Sequence, residues 1–303
     1  MSARLTRIFE SDPLAAPVAP DLQAFVALAV KVTARPQEVT PEDVRAASSA
    51  ALSPRQYFDA VGVMITFNFI TRVVNALGVE PEIPRWMRRV EPLRRLGLRA
   101  MALFFRLFVD LGRKEVHGPT PAEHLTALRT VFLDLRMGAL PAWVERLSFA
   151  PPLLAALREF LEALVRRDAA TGCIGLDANQ FMAIGRTVLR PIPNAETLTT
   201  LADDWQPAPR AEADAKRAAL IARFANDVAL RSYTLTRERV DELRAAGLDD
   251  AEVLDVVVTT ALWCAAARLE VLTGCLPAID PRDESVRQAA TPPRSLLSAQ
   301  AAS

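Results

Sequence analysis

YFDAVGVMITFNFITRVVNAL, residues 57–77, and VLDVVVTTALWCAAARLEVLT, residues 253–273, decide the fold. Each is apolar on nearly every face instead of along one stripe, the pattern of a helix enclosed by protein. Each carries one arginine near its end, Arg72 or Arg268, and is followed by a glycine, Gly78 or Gly274, with a proline three residues later, Pro81 or Pro277. A glycine at that place can take the left-handed conformation that closes a helix, and proline cannot continue it. The spacing therefore predicts two long core helices with matching ends.

Outward from these segments, residues 25–81 and 221–277 align without a gap at a constant offset of 196, with thirteen of fifty-seven positions identical. The identities include Thr40/Thr236, Glu42/Glu238, Val44/Val240, Leu52/Leu248 and Asp59/Asp255. The helix punctuation repeats too. Ser53, Pro54 and Gln56 form an N-cap, an N1 proline and a capping-box partner, and Asp249 with Glu252 repeats the device. Shorter helices over residues 41–50 and 237–246, capped by Thr40 and Thr236, precede the long ones, with amphipathic helices over residues 21–34 and 212–230 before them. One three-helix unit is written twice.

Between the copies, Thr120, Pro121 and Glu123 write another capping box that opens a helix to about residue 135. Helices over residues 152–167 and 177–189 follow, the latter capped by Asp177. A smaller echo pairs Ile83-Pro84-Arg85-Trp86 with Leu140-Pro141-Ala142-Trp143. Periodicity is lost after Pro277, so the expected organisation is an N-terminal helical repeat over residues 1–110, a C-terminal repeat with extra helices over 111–280, and a tail over 281–303. The fold class is all-α.

Composition narrows the functional classes. Glycine is scarce at 11 and tyrosine nearly absent at 2 in 303 residues, a bias toward helix formers. Thirty-six basic residues balance thirty-six acidic ones, so the overall field attracts neither nucleic acid nor an anionic membrane. The first residues are charged and broken by proline, unlike a secretory signal, and the longest uncharged apolar stretches fall short of the ~20 residues of a spanning helix. Three cysteines without regular spacing suggest a reducing compartment and no disulfide framework. The expectation is a cytoplasmic protein without a membrane span.

The strings VTPEDVRAASSAALSPRQYFDAVGVMITFNFITRVVNALGVEP and LTRERVDELRAAGLDDAEVLDVVVTTALWCAAARLEVLTG resemble the C-terminal part of alkylhydroperoxidase D-like proteins of the carboxymuconolactone decarboxylase superfamily. The family helix ending in Phe-Asn, then arginine, then glycine is matched by Phe67-Asn68, Arg72 and Gly78, and by Trp263-Cys264, Arg268 and Gly274. The resemblance implies two such helical modules fused in one chain. It also implies, for peroxidases of the family, a Cys-x-x-Cys pair with a histidine four residues on and a glutamate about three turns upstream. A thiolate attacks the peroxide and the second sulfur resolves the sulfenic acid. No Cys-x-x-Cys occurs in this sequence. One register sets Cys173, Leu176 and Gln180 at the two cysteines and the histidine, with Glu162 as the nearest upstream acid. Another puts the motif near Asn194 and Thr197, with no sulfur.

The two-cysteine cycle is thus absent, which leaves a degenerate member with a binding or structural role as the leading expectation. Ligand-pocket candidates are Asn68, Arg72, Cys264 and Arg268, and a small apolar ligand between helices is the expected partner; a homo-oligomer is compatible with this. The alternative is an enzyme using Cys173 alone, or acid–base chemistry by His117, His124 or a carboxylate. The histidines stand with Glu115 and Glu123 in no metal-ligand spacing, so a solvated loop and helix start is the plainer reading, and no metal or other cofactor is expected. Cys264 and Cys275 lie about 16 Å apart by helical rise and cannot bridge. Asp59/Asp255 and Arg72/Arg268 suit the ends of helix dipoles, or else form an inward polar pair. The seven arginines between Arg85 and Arg106 give a basic face over an apolar one, read as a packing surface.

Overall fold

Three helix starts in this chain are held by reciprocal hydrogen bonds between a capping side chain and the backbone. The Thr40 hydroxyl accepts the Asp43 N–H at 3.3 Å, while the Asp43 carboxylate accepts the Thr40 N–H at 2.8 Å and the Lys31 ammonium at 2.6 Å. Thr120 and Glu123 do the same, as do Asp249 and Glu252, whose two bonds are 2.8 and 3.0 Å. Thr236 caps its helix without a side-chain cap bond.

The computed structural model describes residues 20–48, 54–78, 120–134, 140–170, 178–204, 212–274 and 276, and among these there are helices and no strand. The protein is all-α. In chain order the helices are α1 (Pro20–Ala34), α2 (Pro41–Ser48), α3 (Pro54–Ala76), α4 (Pro121–Asp134), α5 (Ala142–Arg146), α6 (Pro151–Ala170), α7 (Ala178–Leu189), α8 (Glu196–Asp204), α9 (Glu212–Arg231), α10 (Arg237–Ala245) and α11 (Asp250–Gly274). Short 3₁₀ turns at Pro36–Glu38 and Ser232–Thr234 link α1 to α2 and α9 to α10. Ser53, the arginine-rich residues 85–106, His117, Cys173, Asp177, Cys275 and the tail 281–303 lie outside the described residues.

The centre of the fold is the antiparallel pair α3 and α11, the most extensive helix–helix contact among these elements. The Tyr57 hydroxyl, on the second turn of α3, donates to the Leu272 carbonyl at the far end of α11 at 2.9 Å. At the opposite end Leu77 and Gly78 share a cleft with Val253 and Leu254. Helices α7 and α9 pack on α11 and on one another, and α6 packs on α4. Trp263 keys α11 to α7: its ring lies 5.2 Å from that of Phe181, and its indole N–H donates to the Phe181 carbonyl at 3.1 Å.

Three expectations are corrected. Gly78 does close its helix in the left-handed region, with φ 62°, but Gly274 is the last residue of α11 and has no positive φ. The carbonyls of Thr273 and Gly274 are taken instead by the Arg146 guanidinium, at 2.5 Å for the second, so no left-handed cap is needed there. A left-handed cap appears one helix earlier, at Gly247 with φ 89°, where the Leu248 N–H reaches the Leu243 carbonyl and the Gly247 N–H that of Arg244. The two long helices also differ in enclosure. Helix α11 is surrounded, whereas α3 exposes Val63, Phe67 and Ile70, which recur at helical spacing on one face. Both are long and apolar enough to cross a membrane by length and composition, but 83% of the apolar window of α11 is inside the protein against 39% for α3. Finally, Asp59 is exposed and Asp255 buried, so the two do not form an equivalent pair.

Two outcomes follow from this packing. A Cβ at Gly185 would stand 2.6 Å from the Trp263 ring, so Gly185→Ala should cost about 1–3 kcal/mol in urea unfolding, the range for overpacking a close-fitted core. Glu123 is held below the usual carboxylate range, first by the Thr120 N–H and then by its hydroxyl. A lowered folded pKa gives stability that is complete above the unfolded value and lost as pH falls through the folded one. Glu123→Gln should therefore be less stable than the parent at neutral pH, with the gap closing below about pH 4.

Candidate functional site

The sequence-predicted pocket residues Asn68, Arg72, Cys264 and Arg268 are all buried. On α3, Arg72 donates to the Asn68 side-chain oxygen at 2.7 Å and the Asn68 carbonyl at 3.1 Å, one turn back. On α11, Arg268 donates to the Cys264 carbonyl at 3.0 Å, again one turn back. Each then reaches away from its own helix. Arg72 meets the Ala229 carbonyl in α9 at 3.4 Å, and Arg268 meets the Val32 carbonyl in α1 at 3.0 Å. These guanidiniums do more than complement helix dipoles; they tie the last turns of α9 and α1 to the central pair.

Neither arginine has an acid. Among the described residues no carboxylate lies within ion-pair distance of either, and Arg72 Nε and Arg268 Nη2 are buried without a hydrogen-bond partner. Burial, and after it the like charge of Arg72, pushes Arg268 down to about 10, so it is still charged at neutral pH.

Glu270, which the sequence reading passed over, accepts the Thr197 N–H at 2.7 Å and the Leu198 N–H at 3.1 Å. It is 4% exposed and serves as a cap for α8 supplied from α11, its charge placed at the positive end of the helix dipole. An acid deep within the apolar run 253–273, one of two with Asp255, was the available signal. Thr197 is thus a backbone donor on the first turn of α8, and the Asn194 amide donates to the Val39 carbonyl. The register through Asn194 and Thr197 falls on a helix start, while that through Cys173 falls outside the described residues.

A second cluster joins two candidates that sequence spacing could not link. His124, on the first turn of α4, is buried and not solvated, because α6 packs over it. Its Nδ1 stands 3.3 Å from Arg158 Nη1, and Arg158 Nε donates to Glu162 at 2.8 Å. For the first contact to be a hydrogen bond, Nδ1 must be the unprotonated acceptor. Arg158, one turn before Glu162, is the residue the sequence reading missed. Cys264 is 1% exposed, which removes it as a nucleophile. No group of three or more His, Cys, Asp or Glu side chains among the described residues could hold a metal ion.

Two spaces adjoin these elements. A cavity of about 30 Å³ lined by Phe132, Trp143, Leu157, Phe181, Leu262 and Trp263 has room for about one water molecule. A cleft of about 420 Å³, bounded by Leu77, Val240, Val253 and Leu254 with Arg237, Arg244 and Asp250, is of small-ligand size. In comparisons with known proteins, no family, no curated protein and no solved structure matches this chain.

Glu270→Ala would strand two donors at the start of α8 and should destabilise the fold by about 1–3 kcal/mol, read by thermal or urea unfolding. Full stability in that variant would remove Glu270 from the framework.

Proposed function

We propose that this chain is a catalytically silent relative of the alkylhydroperoxidase D and carboxymuconolactone decarboxylase proteins, two diverged helical modules fused in one chain, with a binding or structural role. The observation that carries the reading is the exchange between halves: Arg72 bonds α9, and Arg268 bonds α1. Under the offset of 196, Ala229 corresponds to Thr33 and Val32 to Val228, so each arginine reaches the same turn of the opposite half. Element bounds agree under the same offset. The starts of α3 and α11 fall on Pro54 and Asp250, and the 3₁₀ turns on Pro36–Glu38 and Ser232–Thr234. Burial agrees at Leu28/Phe224, Val32/Val228, Val44/Val240, Ala47/Leu243 and Val61/Val257. An approximate two-fold relation of this kind is what separate subunits use when they pair through one patch.

Catalytic silence is supported by the buried Cys264, by the missing second sulfur, and by the commitment of Asn68 and both arginines to bonds within the protein. The cleft at Leu77, Val240 and Val253 is the candidate seat for a small, partly apolar ligand. The test is hydroperoxide consumption by the purified full chain with a dithiol donor. The expected result is no turnover above background and no change on Cys173→Ser; saturable turnover abolished by that substitution would overturn the reading.

A second reading is favoured by one observation, the row of buried His124 with half-buried Arg158 and Glu162. It is acid–base chemistry on a lactone with an acidic C–H. Deuterium exchange into such a lactone, lost in both His124→Gln and Glu162→Gln, would support it; no exchange with the parent protein would dismiss it.

A further inference from the structure

We infer that the paired arginines at the α3–α11 interface hold a small monovalent anion, a halide or the carboxylate of a small organic acid, at Arg268 Nη2 and Arg72 Nε. The inference rests on the binding role proposed above and narrows it to one ligand chemistry at that interface.

The argument starts from charge. Arg268 is 1% exposed and Arg72 is 6% exposed, which puts two positive charges inside the helical core. Buried charges persist where they are paired, because removing an ion from water costs several kcal/mol even after the protein relaxes. Here the compensation is incomplete. Arg268 spends Nε on the Val32 carbonyl and Nη1 on the Cys264 carbonyl; Arg72 spends its terminal nitrogens on Asn68 and the Ala229 carbonyl. Carbonyl and amide oxygens satisfy donors without neutralising charge. One donor nitrogen on each guanidinium is left buried and unpaired, Nη2 on Arg268 and Nε on Arg72.

Two of the buried acids on these elements are committed elsewhere. Glu270 caps α8, two residues beyond Arg268, and Asp227 pairs with Arg231 and Arg239 at the far face of α9. Arg72 folds back to Asn68 and Arg268 to Cys264, and the antiparallel register set by Tyr57 on Leu272 puts those two turns at about the same level of the central pair, where the like charge of Arg72 acts on Arg268. Two unpaired cationic donors in the core, with no acid within ion-pair distance among the described residues, form a site whose missing component is negative and small. Retention of arginine at both equivalent places, where a methionine of similar length would avoid the cost of burial, fits a charge that is used.

The experiment uses the full chain at fixed ionic strength, with potassium gluconate as an anion too bulky to enter, replaced stepwise by potassium bromide in one arm and potassium acetate in the other. The expected result is a saturable rise in unfolding temperature in at least one arm; a rise with bromide alone assigns an inorganic halide, and one with acetate an organic carboxylate. Arg268→Met should abolish that rise. Crystals grown in bromide should show an anomalous peak within hydrogen-bond distance of Arg268 Nη2, a measurement that stands even if Arg268→Met fails to fold. Unfolding temperatures that are the same in all three salts, together with an ordered water molecule at Nη2, would overturn the inference. Hydroperoxide turnover is measured separately, so failure of the catalytic reading and failure of the anion site give different signatures.

Discussion

Two guanidiniums buried between antiparallel helices, each bonded to a backbone carbonyl of the opposite half, are the constraint on which this structure depends. Arginine is the side chain suited to the task, since its planar fork can hold one turn of its own helix and reach a second element at once. The bonds that the two guanidiniums do make, Arg72 to the Ala229 carbonyl and Arg268 to the Val32 carbonyl, fix how α9 and α1 sit on the central pair. Register along α3 and α11 is pinned by the Tyr57 hydroxyl on the Leu272 carbonyl.

The two helices of that pair differ in what covers them. The face of α11 that presents Trp263 is closed by α7, with Gly185 making room for the indole ring. The corresponding face of α3 presents Phe67, flanked by Val63 and Ile70, to the outside. The cleft where α3 ends against α10 and α11 is left open. That cleft sets the apolar side chains Leu77, Val253 and Leu254 against a rim of Arg237, Arg244 and Asp250.

Most of the fold was legible in the sequence because local rules govern it. Capping boxes at Thr120 and Asp249 and the closing glycine at Gly78 were readable from types and spacing, and the structure bears them out. Less legible were features decided by partners distant in the chain. Gly274 keeps a helical conformation because Arg146, 128 residues away, takes its carbonyl. The burial of His124 depends on α6, and its link to Glu162 runs through Arg158. Of the candidate site, the arginines could be picked out from their recurrence in apolar helices and Asn68 from the family-like helix ending, but not where their donors go. Glu270 was overlooked because an acid in a core helix has no local partner to betray its role.

The most direct test of the account is an experimental structure, asking whether one rotation of about 180° brings residues 20–78 onto residues 212–274. The account predicts that it does, with Arg72 and Arg268 exchanging places and each touching the opposite half. Halves that superpose by no single rotation, or an Arg268 side chain turned to solvent, would contradict it.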